Sequence, residues 1–105
     1  MAEESLKVLV VDDVDFFREV MCDYLKRTPA KILQAKSGEE AVEIARREQP
    51  NLIYMDVAMP GGSGIDACRK IKADIQLCKI PLLLVFTPLR DASIDEIIAS
   101  GCDDY

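Results

Sequence analysis

The sequence predicts a doubly wound α/β sandwich, a parallel sheet with helices on both faces, and three observations carry that expectation. Short apolar runs alternate with amphipathic stretches along the whole chain, and that alternation is the mark of βαβ units. The runs LKVLVV, LIYM and PLLLVF are apolar at nearly every position rather than every second one, as strands covered on both faces require. Acidic residues follow two of them directly, Asp12-Asp13 after the first and Asp56 after the third. Crossovers between parallel strands are right-handed in about 98% of cases, which restricts the topology further.

The elements follow in order. Leu6 to Val11 is rich in β-branched residues and stops at Asp12-Asp13, which reads as a buried strand. From Phe16 to Arg27, Phe17, Val20, Met21, Tyr24 and Leu25 fall at helical spacing. Asp13 or Asp15 is placed to cap that helix, and Thr28-Pro29 ends it. Lys31 to Ala35 is a second strand. A helix over 39–48 follows, with Ser37 and Glu40 spaced as a capping box. Gln49-Pro50-Asn51 breaks the chain before a third strand, Leu52 to Met55. After the turn Met59-Pro60-Gly61-Gly62-Ser63-Gly64, the residues Ile65, Cys68, Ile71 and Ile75 form the apolar stripe of a third helix. Pro81 to Phe86 is the fourth strand, with proline at its first residue, where a missing N–H is tolerated. Thr87 closes it. A fourth helix runs from Asp91 to Ser100, with Ile94, Ile97 and Ile98 on one side, and Gly101 stops it. Cys102 to Tyr105 begins a fifth strand.

Composition narrows the chemistry. At 105 residues the chain is one domain, and its net charge of −6 opposes direct contact with nucleic acid. There is no histidine, which excludes Ser/His/Asp and Cys/His mechanisms and disfavours zinc. Cys22, Cys68, Cys78 and Cys102 contain no C-x-x-C pair, so they read as small core hydrophobes. No apolar run approaches the roughly 18 residues of a membrane span. The acidic start of the chain lacks the order of a signal peptide, and the expected location is the cytoplasm.

Open parallel sheets bind ligands beyond the carboxyl ends of their strands, where the strand order reverses. If the order is 2-1-3-4, the first and third strands are neighbours, and Asp12, Asp13 and Asp56 converge there. Two unit charges about 5 Å apart repel by about 3 kcal/mol at an effective dielectric near 20. A hard divalent cation relieves that repulsion, and oxygen-only ligands select Mg2+. Asp12 and Asp13 alone could equally be caps, but a third acid on an adjacent strand has no capping use. Asp15 reads as a cap or turn residue. Gly61 and Gly62 read as a helix-entry turn, since no lysine follows the last glycine as a P-loop requires.

With these residues in place, the chain resembles the receiver domains of response regulators. VLVVDDVDFFR is similar to their first strand, acidic pair and first helix. NLIYMDVAMPGGSGIDACRKIK resembles the phosphoacceptor strand and its loop, PLLLVFTP the fourth strand with its hydroxyl, and ASGCDDY the approach to the fifth. The resemblance implies a flavodoxin-like order 2-1-3-4-5 and a non-enzymatic, two-component signalling role. It implies that Asp56 accepts a phosphoryl group from a phosphohistidine on a partner histidine kinase or phosphotransfer protein. Asp12, Asp13, Asp56 and the backbone carbonyl of Ala58 would hold Mg2+. Thr87 would hydrogen-bond a phosphoryl oxygen, its alternative being a strand-end threonine that satisfies backbone. Tyr105 would be the aromatic switch residue, or else a frayed terminal side chain. No membrane or direct nucleic-acid partner is implied.

The pattern departs in one place. Receiver domains carry a lysine about three residues past the tyrosine, then a proline and a last helix, whereas this sequence reads only to Tyr105. The expectation is an incomplete domain over 1–105, with the fourth strand left as an apolar edge that self-associates or belongs to a longer chain. Two rivals remain. Asp13-Val14-Asp15 directly after a strand is how haloacid dehalogenase-like phosphatases begin, though that reading leaves Asp56 unexplained. A receiver-like interaction module that does not switch by phosphorylation is the other.

Overall fold

The structure is a computed structural model that describes residues 6–57, 64–85 and 94–105. Its elements are β1 (Lys7–Val11), α1 (Asp15–Leu25), β2 (Lys31–Ala35), α2 (Gly38–Glu48), β3 (Leu52–Asp56), α3 (Gly64–Ala73), β4 (Leu82–Val85) and α4 (Ile94–Ala99). All strand pairs are parallel and the sheet order is β2-β1-β3-β4, as expected. The register sets Val11 opposite both Ala35 and Met55. The next residues along these two neighbouring strands are therefore Asp12 and Asp56, side by side at the sheet's carboxyl end.

Alternation along the strands divides the interior. Leu9, Val11, Ile53, Met55, Leu82 and Leu84 point to one face, where they bury against Ala41, Val42 and Ala45 of α2 and Ile65, Cys68 and Ile71 of α3. Val8 and Val10 are buried on the opposite face, the side of α1. Each fully buried aliphatic side chain contributes about 1.5–3 kcal/mol relative to an exposed one, so the α2–α3 side carries most of the apolar stabilisation. Cys68 belongs to this packing, and Cys22 is buried on α1. No helix among the described residues is long and apolar enough to cross a membrane.

Three local expectations need correction. Neither Asp13 nor Asp15 caps α1. Val14 occupies the N-cap position without a side-chain bond, and the Asp12 carboxylate accepts the Val14 N–H at 2.9 Å. Of the expected apolar stripe of α1, Phe17, Val20 and Tyr24 face outward, with Phe17 58% and Tyr24 71% exposed, whereas Met21 and Leu25 are half-buried and Arg18 and Cys22 are buried. Arg18 sets this phase, because its guanidinium finds acceptors on the inward side. Ile75 lies beyond the end of α3 and is 90% exposed. The Asp74 carbonyl accepts the N–H groups of Leu77 and Cys78 there, turning the chain so that Leu77 is buried instead.

Other boundaries follow the expected chemistry. Ser37 Oγ accepts the Glu40 N–H at 3.1 Å, and the Glu40 carboxylate reaches back to the Lys36 N–H, a capping box displaced by one residue. Gln49 ends α2 in the left-handed conformation, φ 49°, and Gly101 follows α4 at φ 88°. The expected fifth strand begins as a single parallel bridge, Leu83 to Asp104, on the outer edge of β4. The Lys72 ammonium fastens it. It donates to the carbonyls of Cys78 and Ile80 and pairs with the Asp103 carboxylate, which also accepts the Leu82 N–H.

Candidate metal centre

Asp12 and Asp13 follow β1, and Asp56 is the last residue of β3. Each offers one carboxylate oxygen, and these atoms all lie within 4.8 Å of one another. All three residues are half-buried, so their mutual repulsion is screened less than at an open surface. Asp12 is held at every polar group. Its N–H donates to the Ala35 carbonyl at 3.1 Å, its carboxylate accepts the Val14 N–H, and its carbonyl accepts Arg18 Nη1 at 2.9 Å.

Asp13 is the contrast. Its Oδ1 is buried and has no hydrogen-bond partner among the described residues. An unsatisfied buried carboxylate oxygen is costly, and it supplies the acceptor that a hard cation bound between these acids needs. The residues present therefore fit a divalent cation. The electrostatics agree. Burial pushes the Asp12 carboxyl up, the Val14 N–H opposes that, the Asp13 charge adds to it and the Arg18 charge opposes it, with a net rise. Burial, then the charges of Asp12 and Asp56, also raise the Tyr54 hydroxyl, which keeps its proton beside the cluster.

The chain leaves β3 at Val57 and returns at Gly64, whose N–H donates to the Val57 carbonyl at 2.9 Å. A Cβ on Gly64 would lie 2.2 Å from the Asp56 carbonyl oxygen and 2.9 Å from the Val57 Cα. Only glycine permits that approach, so Gly64 lets the start of α3 sit against the tip of β3.

Of the residues singled out in the sequence, Asp12, Asp13 and Asp56 come together. Ala58 and Thr87 lie outside the described residues. Tyr105 is exposed and stands one residue past the bridge to Leu83, on the β4 edge rather than in the acidic cluster. Asp15 is on α1, ion-paired to Arg18, and is not one of the three clustered acids. Sequence reasoning missed Arg18, although Asp15 and Arg18 stand at i, i+3, a spacing at which ion pairs meet on a helix. It also missed the Lys72–Asp103 pair, for which a separation of 31 positions leaves no local signal.

Residues 8–105 match the Response regulator receiver domain family, and the chain belongs to it. It is 31% identical over 101 residues to Protein PilH of Pseudomonas aeruginosa, covering 94% of this chain and 82% of that protein. It is 37% identical over 101 residues to a Cyclic di-GMP phosphodiesterase of Thermotoga maritima, covering 95% of this chain but only 26% of that protein. The crystal structure of Vibrio cholerae chemotaxis protein CheY4 superposes with a TM-score of 0.85 at 26% identity, over 96% of this chain and 84% of that one. The chain is thus a phosphoacceptor receiver domain of two-component systems, a class of signalling modules.

Proposed function

We propose that Asp56 is the phosphoacceptor and that Asp12, Asp13 and Asp56 hold Mg2+ beside it. The observation that carries this reading is the convergence of three carboxylate oxygens within 4.8 Å at two adjacent strand tips, one of the acids having a buried oxygen without a partner among the described residues. An Asp56 carboxylate oxygen forms a bond to phosphorus while the P–N bond of a donor phosphohistidine breaks. The electron pair leaves on the imidazole nitrogen, which is then protonated, and an aspartyl phosphate remains on Asp56. When bound, the cation neutralises charge gathering on the transferring phosphoryl oxygens. The chain contributes position: β3 holds Asp56 in line, and the bonds to Asp12 fix the neighbouring acid.

The remaining roles follow from place in the family pattern. The Ala58 carbonyl is a further cation ligand, the Thr87 hydroxyl donates to a phosphoryl oxygen, and Tyr105 is the aromatic that follows Thr87. The donor is a histidine kinase or phosphotransfer protein in the cytoplasm, and the domain itself turns over no substrate. A second copy that pairs along β4 must displace residues 103–104, which already bond the Leu82 N–H, the Leu82 carbonyl and the Leu84 N–H; sedimentation equilibrium that returns a monomer at all concentrations removes self-association.

The test of the phosphoacceptor is chemical. The chain is incubated with a small phosphodonor and Mg2+, reduced with borohydride, and the modified peptide is mapped. Label on Asp56, lost in Asp56→Asn and in excess EDTA, supports the reading. Label on Asp13, or labelling indifferent to EDTA, overturns it.

A further inference from the structure

Arg18 is 7% exposed, in a helical position where an aliphatic side chain would serve the packing. A buried cation needs partners at each of its donor groups, and Arg18 finds them on three separate pieces of chain. Nε donates to Gln34 Oε1 on β2 at 2.9 Å, Nη1 to the Asp12 carbonyl at 2.9 Å, and Nη2 to the Asp15 carboxylate. Gln34 lies opposite Val10 in the β1–β2 register. The guanidinium therefore spans from β2 to α1 across the tip of β1.

We infer that Arg18 is a positioning residue for the cation site, acting through the Asp12 backbone to set the direction in which Asp12 and Asp13 leave β1. This role rests on the proposed holding of Mg2+ by Asp12, Asp13 and Asp56. The Asp12 N–H is already tied to Ala35 of β2 and its carboxylate to the Val14 N–H. The carbonyl is the remaining polar group of the residue, and Arg18 takes it. With the carbonyl released, the peptide plane between Asp12 and Asp13 can rotate, and the buried Asp13 oxygen loses its aim at the space between the acids. A lysine at this position keeps a positive charge but not a planar fork, so it cannot satisfy three acceptors in these directions.

The experiment measures Mg2+ binding by calorimetry for the wild-type chain, Arg18→Met, Arg18→Lys and Asp15→Asn, with thermal unfolding in EDTA recorded for each. Groups one shell out from a metal typically change its affinity by about 10- to 100-fold. Arg18→Met and Arg18→Lys are expected to weaken Mg2+ binding by about tenfold or more. Their phosphorylation rate at saturating Mg2+ should stay near the wild-type value, the split expected of a lost ground-state contact. Asp15→Asn removes only the charge of the exposed partner, keeps an oxygen that can accept from Nη2, and should leave the Mg2+ Kd unchanged. A lysine variant that is folded in EDTA and binds Mg2+ with the wild-type Kd overturns the inference while leaving the Mg2+ reading intact. A wild-type chain that binds no Mg2+ overturns both. If Arg18→Met does not fold, Arg18→Lys and Gln34→Leu, which removes the anchor on β2, decide the question by the same readouts.

Discussion

A methyl group on Gly64 would meet backbone, the Asp56 carbonyl oxygen and the Val57 Cα, and neither can swing aside as a side-chain end would. Gly64→Ala is expected to destabilise the fold by about 1–3 kcal/mol through overpacking, measured by urea unfolding, and to weaken Mg2+ binding because β3's tip must shift. Asp103 makes a different prediction. Burial pushes its carboxyl up, but the Lys72 ammonium and the Leu82 N–H more than offset that, so its folded value is lowered. Its contribution to stability is then fully present above the ordinary aspartate value of about 4 and is lost as pH falls through the lower folded value. Asp103→Asn should flatten the decline of the urea midpoint in that acid range and leave its slope above about pH 5 unchanged.

Among the elements, α2 and α1 respond in opposite ways to surface changes. Ser37 Oγ holds the Glu40 N–H at the start of α2, so Ser37→Ala should cost about 1 kcal/mol. On α1, Phe17→Gln should change stability by no more than about 0.5 kcal/mol, since the ring is mostly in solvent; thermal melts of the two variants separate these outcomes. The sequence reading located every strand and helix among the described residues, because β-branched runs and turn residues are local signals. It missed the phase of α1. Hydrophobic periodicity assumes that apolar residues face inward, and here the inward position holds an arginine satisfied by Gln34 and Asp12, a fact that lives in tertiary contacts. Ile75 failed for a related reason: Asp74 turns the chain before the apolar stripe is complete.

For the molecule as a whole, the acidic cluster was legible because parallel order places the ends of β1 and β3 side by side, so residues 44 positions apart could be read as neighbours once the order was assumed. What the order could not tell was how Asp12 is oriented or that Asp13 keeps a buried oxygen unpartnered among the described residues; both depend on side-chain directions that no linear pattern encodes. That orphaned oxygen has a thermodynamic corollary. The three acids meet only when the two central strands are paired, so an unfolded chain has no comparable affinity for the ion. Saturation at a hundred times Kd should add about 2.7 kcal/mol to the free energy of unfolding. A calorimetric scan would then show a melting point that climbs with the logarithm of free Mg2+ and collapses on chelation, making the chain's own denaturation a gauge of the proposed site.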